Sequence, residues 1–141
     1  MRRVVIADNL AGLRSALRFL LEQEFDVDIV GEISETRALL AALPHLTPDL
    51  ILLDWALPGL NSLEMRHHLI TTVRGLYPCV SLVVLWGSGA DHLPRGLPGV
   101  DAWVSKAEPP QQLRATLHAV WATPGGGQRR HASSSVFIPR Q

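Results

Sequence analysis

Three charged side chains stand where this chain could do chemistry: Asp8, Asp54 and Lys106. Asp8 follows the β-branched run Val4-Val5-Ile6. Asp54 closes the apolar run Leu50-Ile51-Leu52-Leu53, and Lys106 comes just after Ala102-Trp103-Val104. A carboxylate at a strand end can simply cap the turn or helix that follows. It can also join others in a site that holds a hard cation or offers a nucleophile. Lys106 is the single lysine among 13 basic residues, the rest being arginines. It is either an ordinary surface lysine or a movable point charge doing what the planar fork of arginine cannot.

Other reactive residue types are less well placed. His67 and His68 are adjacent, so on a helix they point in different directions, whereas a metal pair prefers a spacing of four. His45, His92, His118 and His131 have no partner at ligand spacing and read as solvent-facing or loop residues. The lone Cys79, before an apolar run, reads as a small buried hydrophobe and excludes an internal disulfide or a cysteine-rich zinc site. Trp121 shares helical spacing with Leu113 and Leu117 and is expected in the core. Trp55, next to Asp54, is expected to be partly exposed beside the site. No phosphate-binding glycine loop of the P-loop or dinucleotide kind occurs.

The elements that position these residues are legible as an alternation. Apolar runs of strand length at Val4–Ile6, Asp28–Gly31, Leu50–Leu53, Val80–Leu85 and Ala102–Val104 alternate with segments of helical period. Leu10, Leu13, Leu17, Leu20 and Leu21 form one apolar stripe, with Arg14, Arg18 and Glu22 on the opposite face. Ser34 is the expected cap of a second helix that Pro44 and Pro48 should stop, and Asn61 or Ser62 that of a third reaching about Leu76. Pro109 and Pro110 suit the first turn of a last helix. Five such alternations predict an α/β fold, a doubly wound parallel sheet of five strands. In such sheets ligands bind beyond the carboxyl ends of the strands, where Asp8, Asp54, Trp86 and Lys106 fall.

Two stretches break the pattern. Residues 87–99 hold six Gly or Pro in thirteen positions, and each interior Gly costs about 1 and each Pro about 3 kcal/mol against Ala. The fourth helix is therefore expected to be shortened or missing. From Thr123 onward, Gly125-Gly126-Gly127 and Ser133-Ser134-Ser135 predict a flexible tail or linker, residues 123–141, after a domain of residues 1–122.

Composition sets the outer bounds. The 141 residues are 47% apolar with 13 basic and 13 acidic side chains, which suits one globular domain and excludes global disorder. Zero net charge argues against a general nucleic-acid binder. No run is long enough to span a bilayer and no signal peptide opens the chain, so the expected setting is cytoplasmic, with no membrane partner.

VVIADN near the N-terminus, DLILLDWALPG around Asp54 and WVSK at Lys106 together resemble the receiver domain of bacterial response regulators, over about residues 3–122. The likeness is nearest to receivers that precede a LuxR-type helix-turn-helix. The resemblance implies a flavodoxin-like fold in two-component phosphorelay signalling, with Asp54 accepting a phosphoryl group from a sensor histidine kinase or a small phosphodonor. It further implies that Asp8, Asp54 and the backbone carbonyl of Ala56 hold Mg²⁺, that Lys106 pairs with the phosphoryl oxygens, and that residues 86 and 103 act as switch positions. A possible homodimer and regulation of transcription also follow, with DNA met only through an output domain outside these residues. The resemblance implies a switch rather than an enzyme.

Residue chemistry agrees with those roles. Two carboxylate charges ~4 Å apart repel by ~4 kcal/mol at an effective dielectric constant of ~20, and a hard divalent ion relieves that repulsion. Three features depart from the family pattern. Asn9 replaces the usual second acid, leaving only an amide oxygen and a weakened Mg²⁺ site. Trp86 stands where a Ser or Thr is usual and offers one N–H on a much bulkier ring, with Ser88 a substitute only through a register shift. The third is the degraded fourth helix. Trp103 keeps the aromatic position in kind. These departures support an alternative, a phosphorylation-independent pseudo-receiver that acts as a protein-protein interaction module. A phosphatase of the D-x-D kind is a poorer fit, because Ala56 occupies the second acid's position.

Overall fold

The computed structural model describes residues 1–87 and 97–122. Strands β1 (Arg2–Ala7), β2 (Val27–Ile33), β3 (Leu50–Asp54), β4 (Ser81–Trp86) and β5 (Ala102–Ser105) form one sheet in the order β2-β1-β3-β4-β5. Every pairing is parallel. Helices α1 (Ala11–Glu24), α2 (Thr36–Leu46), α3 (Leu63–Leu76) and α4 (Pro110–Ala122) cover it. This is the doubly wound five-stranded architecture that the alternation predicts. The segment expected to lack a helix falls largely in residues 88–96, and the expected tail is 123–141. Both lie outside the described residues.

The central strands are apolar on both faces because helices cover both. All five residues of β3 are buried. One core, containing Val5, Ile51, Leu53, Leu69, Val84 and Trp103, packs under α2 and α3. The other, containing Val4, Ile6, Leu21, Leu52, Val104 and Leu117, packs under α1 and α4. Alternate residues along each strand thus serve opposite cores, as the period of two requires.

Several local expectations are corrected. Ser34 does not cap α2: Glu35 holds the cap position and makes no side-chain capping bond. Pro44 lies inside α2, which runs on to Leu46 and ends where Thr47 turns left-handed at φ 40°. The ring of Pro44 costs one helical hydrogen bond, yet Leu39 and Leu43 on the same helix are buried in the core and hold the turn in place. Cys79 is exposed rather than buried, because it sits in the turn before β4 and not in the strand. Ser62 does cap α3, accepting a hydrogen bond from Met65 N at 3.1 Å.

The connection entering β5 is clasped to α3. The guanidinium of Arg74 donates to the carbonyl of Gly99 at 2.7 Å and to the carboxylate of Asp101 at 2.6 Å. That same Asp101 oxygen accepts from Leu82 N at 2.8 Å, so one buried carboxylate joins α3, β4 and the start of β5.

Candidate functional site

The strand order brings together what the sequence keeps apart. β1 and β3 are neighbours, with Ala7 paired to Leu53, so Asp8 and Asp54 leave the sheet side by side. β5 lies beyond β4, about two strand spacings or ~9.6 Å from β3. The residue after β5 therefore needs a long, flexible stem to reach Asp54, and Lys106 supplies one.

Its ammonium reaches both acids. Lys106 Nζ donates to Asp54 Oδ1 at 2.9 Å and lies 3.2 Å from Asp8 Oδ2. The second contact is an ion pair, and Asp8 Oδ2 accepts no hydrogen bond of normal geometry. Asp8 is 0% and Asp54 2% exposed, while the Lys106 side chain keeps 17% of its surface open. Lys106 is thus the most open of the three side chains.

Local bonds fix the acids. Asp8 Oδ1 accepts from Leu10 N at 2.9 Å, and Asp54 Oδ1 accepts from Ala56 N at 2.9 Å. Each carboxylate therefore caps its own turn and joins the cluster as well, so the capping and site readings are both true of it. Both hydrogen bonds to the Asp54 carboxylate end on Oδ1 and neither on Oδ2. Arg14 also donates to the backbone carbonyl of Asp8 at 2.6 Å, while its Nε stands 3.4 Å from Glu32. That contact was not legible beforehand, since Arg14 reads as part of a solvated helix face.

Burial works to lower the Lys106 pKa, but the hydrogen bond and charge of Asp54 and the charge of Asp8 outweigh it. The ammonium ends above the ordinary lysine value.

Asn9 is exposed beside Asp8 and makes none of the contacts that join the cluster. Ala56 is exposed on the loop after Asp54. Trp86 is half-buried and packs against the core under α2 and α3. Its backbone carbonyl accepts from Lys106 N at 2.7 Å, so it positions the lysine through the main chain. Trp103 is buried and meets Trp55 edge-on, with ring centroids 5.0 Å apart. Trp55 corrects the expectation of an exposed lid: it is 1% exposed. The Arg66 guanidinium lies 4.7 Å from its ring centroid, covering the side that solvent would otherwise reach. Nothing in the spacing of Trp55 and Arg66 announces this pair. Among the described residues no three His, Cys, Asp or Glu side chains converge as a metal cluster. A cation here would use two carboxylates and neutral oxygens.

Comparison with known proteins points one way. The model of the family described as response regulator receiver domain matches residues 4–118. The phosphate regulon transcriptional regulatory protein PhoB of Escherichia coli K12 is 31% identical over 120 residues, covering 84% of this chain and 51% of PhoB. The uncharacterized transcriptional regulatory protein YhcZ of Bacillus subtilis is 28% identical over 116 residues, 81% of this chain and 52% of that protein. The chain thus spans about half the length of these relatives. Among solved structures, the isolated receiver domain of RcsB from Salmonella enterica serovar Typhimurium, determined with the phosphomimetic BeF₃⁻, superposes with a TM-score of 0.71. It is 26% identical, with 91% of this chain and 96% of that one covered.

Proposed function

Because this chain belongs to the response-regulator receiver family and is a receiver domain of two-component signalling, we propose that Asp54 is its phospho-acceptor. The observation that carries the proposal is the convergence of the Asp8 and Asp54 carboxylates, from two strand ends, on the Lys106 ammonium from a third.

In this reading Asp54 Oδ2 attacks the phosphorus of a phosphohistidine or small acyl phosphate. A new P–O bond forms as the donor's P–N or P–O bond breaks, and the product is an acyl phosphate. The phosphoryl group brings added negative charge beside Asp8. Lys106, already held between the two carboxylates, turns its ammonium to the new oxygens without leaving the pocket.

The donor set fits a hard divalent cation. Asp8 Oδ2 is a buried anionic oxygen that accepts no hydrogen bond and is balanced by the Lys106 ammonium 3.2 Å away, so it keeps lone pairs to offer a metal. Asp8, Asp54 and the Ala56 carbonyl would hold Mg²⁺, with the Asn9 amide as a neutral fourth donor. When bound, the ion would neutralise charge on the phosphoryl group in transit. With Asn9 in place of an acid, the site carries one negative charge fewer and binds the ion more weakly.

The proposed partners are a sensor histidine kinase or a small phosphodonor, and a second copy of this chain. Transcriptional regulation through an output domain is the proposed role of the longer protein, in line with the names of its relatives. The test is titration with Mg²⁺ and beryllofluoride, read by ¹⁹F NMR and tryptophan fluorescence. Saturable binding that Asp54→Ala abolishes supports the proposal. No binding at millimolar Mg²⁺ refutes it.

A further inference from the structure

The loop that follows Asp54 is gripped from outside by a residue of α2, the helix that precedes β3. Thr36, the first residue of α2, donates twice to one acceptor: its backbone N–H and its Oγ1 hydroxyl both reach the Pro58 carbonyl at 2.9 Å. The neighbouring residue is shaped for this grip. Gly59 adopts φ +101°, and a Cβ built on it would stand 2.8 Å from Thr36 Cβ and 2.9 Å from Thr36 Oγ1. Only glycine allows both the left-handed turn and the close approach.

Inside the grip the loop is short and tightly wound. Leu57 N donates to the Asp54 carbonyl at 3.0 Å, and Leu60 N to the Leu57 carbonyl at 2.9 Å. The side chains of Leu57 and Leu60 are buried. Ala56, which donates to Asp54 Oδ1, therefore lies between a fixed strand end and a carbonyl fixed from α2. A free helix N-terminus would give its first N–H groups to water. Here one of them, reinforced by a hydroxyl, is committed to the acceptor loop.

We infer that Thr36 is a positioning residue for the phospho-acceptor site, holding the Ala56–Pro58 segment so that the Ala56 carbonyl and the Asp54 carboxylate face a cation together. This inference rests on the reading of Asp54 given above. It adds α2, which contributes no side chain to the acid cluster, as a mechanical part of the site.

The experiment compares wild type with Thr36→Val, which keeps the branched shape and the backbone N–H but removes the hydroxyl donor, and Thr36→Ser, which restores it. Mg²⁺ affinity is measured by calorimetry, and exchange of the Leu57 and Leu60 amides is followed by NMR in metal-free protein. A thermal melt shows that each variant is folded. Thr36→Val is expected to bind Mg²⁺ on the order of fivefold more weakly, the scale of one lost hydrogen bond, and Thr36→Ser to return within about twofold of wild type. The two amides should exchange faster in Thr36→Val while amides of β3 do not. A wild type that binds and a Thr36→Val protein that binds equally well overturn the positioning role alone. A wild type that does not bind overturns the reading of the site, and the positioning role with it.

Discussion

At the scale of single residues, Lys106 decides most. It is the cation between two buried carboxylates, and removing one partner of a buried charge pair costs more than the pair contributes. Lys106→Met should lower stability by about 3 kcal/mol in urea unfolding, the low end for a buried pair because its side chain is partly open. Added Mg²⁺ should recover more stability in that variant than in wild type, since both carboxylates then lack a counter-charge. The pH dependence has a definite sign. The folded-state pKa of Lys106 is raised, so its stabilising contribution is complete below the ordinary lysine value of ~10.4 and is lost as pH rises through the higher folded value. The Tm gap between wild type and Lys106→Met should hold from pH 7 to about 9.5 and close only in stronger alkali. Trp55 is the second such residue. Trp55→Ala should cost about 3–5 kcal/mol in the same unfolding assay, as a buried indole with Trp103 at its edge and Arg66 on its face is deleted.

Among elements, legibility follows the range of the interactions. Strand runs, helical stripes and caps are local, so all five strands and the four described helices were readable, with Ser62 one of two candidate caps for α3. The three site residues were readable for the same reason, because a strand end is a local feature and the topology then joins them. What escaped depends on partners far along the chain. Pro44 stays helical because the core holds Leu39 and Leu43. Trp55 is buried because Arg66, eleven positions on, returns from α3 to cover it. Thr36 meets Pro58 across a separation of 22 residues that no spacing rule reports. The Arg74 clasp is of this kind and gives a test at element scale. Arg74→Met should destabilise by about 3 kcal/mol because it removes the guanidinium paired with the buried Asp101 carboxylate. Combining it with Asp101→Asn should cost less than the sum of the two single changes, as measured by a double-mutant cycle.

Across the whole molecule, the sheet carries two acids and one ammonium along one rim. No helix among the described residues is long and apolar enough to cross a membrane. The ends of β1 and β3 supply acids, the main chain at the end of β4 anchors the lysine, and the residue after β5 supplies the ammonium. On the proposed reading, the departures at Asn9 and Trp86 weaken the cation site and remove the hydroxyl that would meet the phosphoryl group. They leave the two acids and the ammonium together. The central claim, that this rim accepts a phosphoryl group on Asp54, is tested most directly by intact-mass spectrometry after incubation with Mg²⁺ and acetyl phosphate. The account predicts a single phosphoryl adduct on wild type, none without Mg²⁺, and none on a folded Asp54→Ala protein. Wild type of unchanged mass, or an equal adduct on Asp54→Ala, would contradict it.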